Sequence, residues 1–346
     1  MQIQQKKNIV VVGGGTGIHA LLRALKKHRD QLEISAVVTM ADSGGSTGRL
    51  RDEFGYLPVG DVRNALVALA SERGEHADVL RELFLYRFAK GEGLNGHNFG
   101  NLLLTALTDI LGSEEEAIAA AADILRIAGR VIPVTTDDVN LLATYDDGVT
   151  VLGEHLIDEP HEDRTGHCIV ALDLEPAGQI NPAAAAALAA ADLVVFGPGD
   201  FFTSLMANCA VTGFAESLNP EGKLMYIANL MNRWGQTEGM TVCDYLDYLQ
   251  NQLGRPLDYC LVNDEPLPED LLMRYQIEGD YPVVFCTRSQ RGVGGNRHTA
   301  IFRGDFLTNE KIITSSGDQV RRSFIRHDGG KLVEAIMMIF NSINLN

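Results

Sequence analysis

The sequence predicts an α/β fold, a mostly parallel sheet covered by helices with a small β excursion, and three observations carry that prediction. Apolar runs of strand length alternate with helical patterns along most of the 346 residues, which is the sequence form of a sheet built from βα units. Glycine clusters directly after the first run, as Gly13-Gly14-Gly15-Thr16-Gly17, where backbone geometry rather than side-chain chemistry is in demand. Beyond residue 140 the pattern shifts to short alternating runs around Asp146-Asp147-Gly148, a hairpin signal.

Taken in order, the apolar runs predict buried strands over residues 9–12, 34–39, 131–134, 193–196, 224–228 and 261–262. Helical spacing predicts helices over 18–27, 62–71, 78–88, 101–111, 114–128, 202–218 and 242–253, and the alanine-rich stretch 183–191 reads as a plain helix packed on the sheet. Residues 141–172 form the expected β excursion. The length allows one large unit or two smaller ones. The expectation is one domain over 1–346, with core strands and glycine-rich loops in 8–135 and 190–340 and the excursion in about 140–175.

Composition narrows the function. The formal charge of −17 argues against a protein that binds nucleic acid, since that needs a basic surface. The charge is uneven: residues 1–100 balance at +2, residues 101–200 at −15 and the remainder at −4. No apolar stretch approaches the roughly 20 residues that span a bilayer, and the first apolar run is too short for a signal peptide. The five cysteines, Cys168, Cys209, Cys243, Cys260 and Cys286, are odd in number and far apart, with no CxxC pair or zinc spacing. A reduced, cytoplasmic location is the simplest expectation.

Five glycine-containing segments carry the candidate chemistry. Gly14, Gly15, Thr16 and Gly17 follow the first strand and open a helix, so backbone N–H groups and the helix terminus suit a phosphate or pyrophosphate; the bland alternative is a tight turn. Ile18 stands where a dinucleotide fingerprint needs glycine, so no nicotinamide cofactor is expected. Next, Asp42-Ser43-Gly44-Gly45-Ser46-Thr47-Gly48-Arg49-Leu50-Arg51 follows the second strand, on the edge where open α/β sheets bind ligands. Arg49 and Arg51 can fork phosphate oxygens, and Asp42 can hold a divalent cation or orient a hydroxyl. In Gly60-Asp61-Val62-Arg63-Asn64, Asp61 is either a helix N-cap or a second carboxylate beside Asp42, the two then holding Mg²⁺ with a nucleotide phosphate; Arg63 and Asn64 would contact the ligand. His97 and Asn98, with Gly197, Gly199 and Asn229 further on, again place small and hydrogen-bonding residues at helix starts or strand ends. A lone His97 reads equally as structural.

As an ordered set these segments, with Tyr86-Arg87-Phe88, Gly235-Gln236-Thr237 and Ile325-Arg326-His327, resemble the 2-phospho-L-lactate transferase superfamily and, within it, the gluconeogenesis-factor branch. The resemblance implies a Rossmann-like three-layer αβα fold, a cytoplasmic protein and a nucleotide-diphosphate ligand. In the transferase branch a nucleotide diphosphate donates a phospholactyl group with Mg²⁺, and the acids matching Asp42 and Asp61 lie at the reacting centre. The gluconeogenesis-factor branch implies a UDP-sugar binder, notably of UDP-N-acetylglucosamine, that supports cell shape and envelope precursor supply. There Tyr275 and Arg326 match residues implicated in the sugar nucleotide. A homo-oligomer and a protein partner in envelope-precursor synthesis are the associations expected.

Three departures from the family pattern stand out. Ser43 replaces an acid, which leaves Asp42 with only Asp61 as a candidate partner. Asp200 adds negative charge near a phosphate unless a cation lies there. The segment Gly292-Val293-Gly294-Gly295-Asn296-Arg297, together with the stretch onward to Gly317, fits the pattern poorly and points to a different second ligand.

Overall fold

The structure, a computed structural model, describes residues 6–286, 299–309 and 323–342. Its centre is a parallel sheet of β1 (Lys7–Gly13), β2 (Leu32–Val38), β3 (Arg130–Pro133), β7 (Leu193–Phe196), β8 (Lys223–Ile227), β9 (Tyr259–Asn263) and β10 (Ala300–Gly304). The seven strands run in the order β10-β9-β8-β7-β1-β2-β3. A second, antiparallel sheet of β4 (Asn140–Tyr145), β5 (Thr150–Leu152) and β6 (Ile169–Glu175) is the excursion, with β4 in its middle. The chain leaves β1 toward β2 and β3, then returns to pair β7 on the opposite side of β1. That reversal makes the crevice at the C-terminal ends of β1 and β7 the place where such sheets bind ligands.

The helices are α1 (Gly15–Leu25), α2 (Gly45–Phe54), α3 (Gly60–Leu69), α4 (Ala77–Leu85), α5 (Phe99–Leu111), α6 (Glu114–Leu125), α7 (Glu154–Asp158), α8 (Pro182–Ala189), α9 (Ala207–Cys209), α10 (Val242–Leu253), α11 (Glu269–Ile277) and α12 (Gly329–Ser342). Both faces of the main sheet are covered, which is why its strands read as unbroken β-branched runs rather than alternating ones. Ile9 and Val11 join a core with α1, α3, α6 and α12, while Val10 and Val12 face a core with α8, α10 and the excursion. Local signals start the helices: Asn98 caps α5, Ser113 caps α6, and a Thr241–Asp244 capping box opens α10. Among the described residues no helix is long and apolar enough to cross a membrane.

Several sequence expectations change. The helix expected over 202–218 is instead a π-helical turn at Phe201–Met206, running into α9 and a separate turn at Ala215–Ser217. Its residues are apolar because they are buried beneath the sheet edge and not because they share one helix face. Gly45 to Arg51, read as loop, is most of α2, and Gly15 to Gly17 are the first turn of α1. The capping role considered for Asp61 is taken by Val59, with no side-chain cap bond, and Asp61 sits in the first turn. β10, α11 and α12 have no counterpart among the sequence expectations. The glycine-rich segment from Gly292 to Arg297 lies outside the described residues.

One close approach fixes how the strand ends meet. A Cβ on Gly17 would lie 2.2 Å from the Pro198 carbonyl oxygen, so the loops after β1 and β7 touch through backbone alone. Gly17→Ala is therefore expected to destabilise the protein by about 1–3 kcal/mol. At Gly93 a Cβ meets nothing within 4 Å, and Gly93→Ala should stay within about 0.5 kcal/mol of wild type. Guanidinium denaturation of both variants checks this; equal midpoints would contradict the contact.

Candidate functional site

Two glycine-capped helices begin at the C-terminal ends of adjacent strands, α1 after β1 and α2 after β2. Gly14 is the N-cap of α1 and Gly44 the N-cap of α2, each in an extended conformation with no side-chain cap bond. Neither helix has an acid in its first turn, so the amides of Gly15, Thr16, Gly17 and of Gly45, Ser46, Thr47 retain the character of an anion site. Beside them the β7 loop carries Gly197, at φ 86°, followed by a cis bond to Pro198. Asn229, after β8, donates from Nδ2 to the Gly199 carbonyl at 2.9 Å and accepts from the Tyr226 hydroxyl at 2.7 Å. The sequence thus brings Gly14, Gly17, Gly197, Gly199 and Asn229 to one edge.

Carboxylates press on this glycine surface. A Cβ on Gly14 would fall 2.2 Å from Asp61 Oδ2, and one on Gly60 would fall 2.6 Å from Asp42 Oδ2 and 2.9 Å from Thr47 Oγ1. Asp42 also accepts from the Gly44 amide at 2.9 Å. Burial raises the Asp42 pKa, against the opposing pull of the Gly44 amide, the Thr47 hydroxyl and Arg63. Arg63, itself buried, donates to Asn101 and Asn64 at 2.9 Å each and lies near both Asp42 and Asp61. Burial and then Arg87 push its pKa down to about 10, and its Nε has no acceptor. Asn64 is consequently an Arg63 partner in this arrangement.

The excursion adds acids that sequence reading missed. Glu154, first residue of α7, accepts from the Ser43 amide at 3.3 Å, while Ser43 Oγ accepts from the His155 amide at 3.0 Å. The serine that replaces an acid therefore caps α7 and draws another acid in, so Asp61 is not the only candidate partner of Asp42. Burial, then the charges of Asp42 and Asp158, push the Glu154 pKa up to about 9. Asp158, at the other end of α7, pairs with Arg233 at 2.6 Å, and Arg233 Nε lies 3.9 Å from Asp200. Arg233 is thus the cation that the Asp200 position required. No motif marks Glu154 or Asp158; an acid opening a short helix reads as an ordinary dipole partner.

The remaining candidates divide. Ser46 Oγ lies 3.3 Å from His97 Nδ1 and accepts from the Asn98 amide at 3.2 Å, while Asn101 donates to Thr47 Oγ1 at 3.3 Å. His97 and Asn98 thereby buttress the start of α2. Burial and then Arg49 lower the His97 pKa, so the ring is neutral at pH 7. Arg49 is exposed and reaches the Asn95 carbonyl at 3.4 Å. Arg51 points away, to Asp138 at 2.5 Å and the Val139 carbonyl at 3.2 Å. Tyr275 is buried, and its hydroxyl accepts from the amides of Phe324 and Ile325 at 2.7 and 3.2 Å. It holds the stretch that ends in Arg326, whose charge reaches His19 on α1.

The Glu154 shift carries a pH consequence. Its folded pKa near 9 exceeds the ordinary 4.5, so between those values the folded state binds the extra proton and stability falls as pH rises. Glu154→Gln removes that loss. The variant should gain stability over wild type progressively from pH 5 to pH 9 in denaturant titrations; a constant difference across that range would contradict the buried carboxyl.

Comparison with known proteins identifies the family and the fold. The family model described as 2-phospho-L-lactate transferase CofD matches residues 9–295. An Aquifex aeolicus protein is 39% identical over 343 residues, covering 98% of each chain. The gluconeogenesis factor of Bacillus subtilis is 35% identical over 337 residues, covering 96% of this chain and 98% of that one. A crystal structure of a UPF0052-family protein from Bacillus halodurans superposes with a TM-score of 0.84 at 34% identity, covering 96% of this chain and 99% of that one. The chain belongs to the 2-phospho-L-lactate transferase CofD family.

Proposed function

We propose that the protein is a gluconeogenesis factor that binds a nucleotide sugar, UDP-N-acetylglucosamine or a close analogue, in the cytoplasm and regulates central carbon and envelope metabolism and cell shape. The observation that carries the reading is the pair of glycine-led helix N-termini without side-chain caps, α1 after β1 and α2 after β2, with Asp61 against Gly14 and with Asp42 and Thr47 against Gly60. Two adjacent anion sites of that kind suit the two phosphates of a diphosphate. Gly199 and Asn229 flank the diphosphate, Arg63 offsets part of the charge of Asp42 and Asp61, and Arg326 lies on the α1 side.

The donor set at Asp42 and Asp61 also fits Mg²⁺. The ligands are hard oxygens, and burial raises the Asp42 pKa, a cost to its charged form that a bound cation would offset. Mg²⁺ usually takes one or two carboxylates together with substrate phosphates, and it would neutralise the diphosphate and fix its orientation. This supports a second reading: transfer of a phosphoryl-linked group from a nucleotide diphosphate to an acceptor, with Asp42 and Asp61 at the reacting centre.

Calorimetry with UDP-N-acetylglucosamine, with and without Mg²⁺, tests the first reading. Saturable binding is expected. Arg326→Ala should weaken it by about 10–100-fold, the span of a charge-assisted hydrogen bond. Asp61→Asn should remove any Mg²⁺ dependence. A flat titration at high protein concentration contradicts the reading, and Mg²⁺-dependent turnover of a nucleotide-diphosphate donor would favour the transferase.

A further inference from the structure

Away from the glycine edge, Cys243 and Cys286, 43 positions apart in sequence, meet in a disulfide with Cα atoms 5.7 Å apart. Their separation hid them from sequence reading, which finds only local cysteine motifs. Cys243 lies in the first turn of α10 and is partly exposed, whereas Cys286 is buried. Cys286 ends a strap that begins at Asp280, whose carboxylate accepts from the Trp234 amide at 2.8 Å. The strap is tied to its surroundings by backbone bonds from Asn232 to Tyr281, Val283 to Leu230 and Val242 to Val284, at 2.7, 3.0 and 3.0 Å. Pro282, Val283 and Phe285 help line a cavity of about 320 Å³ that Leu230 and Asn229 also line. Arg303 lies over the Phe285 ring at 5.0 Å. The cross-link thus fastens to α10 a wall whose cavity reaches Asn229 at the edge of the candidate site.

We propose that Cys243 and Cys286 are a reversible thiol–disulfide modification site that locks this strap against α10. A small disulfide such as oxidised glutathione reaches the more exposed Cys243 first. The Cys243 thiolate attacks one of its sulfurs, forming a mixed disulfide and releasing one thiol; the Cys286 thiolate then attacks the Cys243 sulfur and releases the second. Two protein thiols and one disulfide become one protein disulfide and two small thiols, and a reducing thiol in excess reverses the exchange. Cys168, Cys209 and Cys260 are unpaired and take no part.

The intact chain is equilibrated with oxidised glutathione or with excess dithiothreitol, then denatured for thiol counting. Three thiols are expected after oxidation and five after reduction. Hydrogen exchange at the Val283 amide should be about tenfold faster in the reduced protein, and in Cys243→Ser it should match the reduced rate whatever the redox treatment. Five thiols in both states overturn the proposal, as do three in both or an exchange rate that ignores the redox state. Where the variant fails to fold, reduced wild type supplies the same comparison. No nucleotide enters the experiment, so its failure leaves the nucleotide-sugar reading standing.

Discussion

The arrangement of the site depends on carboxylate oxygens occupying the space where glycine lacks a side chain. Asp61, in the first turn of α3, lies against Gly14, and Asp42, ahead of α2, lies against Gly60, so both acids border the starts of α1 and α3. Any side chain at Gly14 or Gly60 would collide with a carboxylate. The same contacts bury negative charge beside an anion site, which is electrostatically costly unless balanced. Arg63 supplies one balancing charge, and the donor chemistry invites a cation for the rest.

The strong acidity of the middle of the chain has a structural use. By composition alone, a solvated face is the simplest account of the −15 carried by residues 101–200. Most of those acids are exposed, as that account expects, but a few are tied down: Asp138 with Arg51 and Asp158 with Arg233 reach other segments, and Asp147 pairs with Arg164 within the excursion. Glu154 enters the site itself. The excursion is therefore fastened to the glycine edge by polar contacts, and exposed pairs among them contribute little to stability. Their effect is to place α7.

Much of the fold was legible because both signals were local. Continuous apolar runs marked β1, β2 and β7, and glycine directly after β1 and β7, with the glycine-rich segment a few residues beyond β2, marked the sheet edge. What escaped depended on tertiary context. The apolar stretch from Phe202 onward has helix-like composition, yet it breaks because it is buried around a π turn. Arg51 looked like a phosphate fork, but Asp138, 87 positions away, holds it. Glu154 became a site residue only through Ser43, 111 positions earlier, and Cys243 met Cys286 the same way. Tyr275 was found by resemblance, but its hydroxyl serves the backbone before Arg326.

The central claim is that the amides of α1 and α2 hold a diphosphate. Backbone amide chemical shifts of the ¹⁵N-labelled protein, followed while UDP-N-acetylglucosamine is added with Mg²⁺, test it most directly. The account predicts that the largest changes fall on Gly14, Gly15, Gly17 and Gly44 to Thr47 and saturate together. Saturating changes confined to other residues, with these amides unmoved, would contradict it.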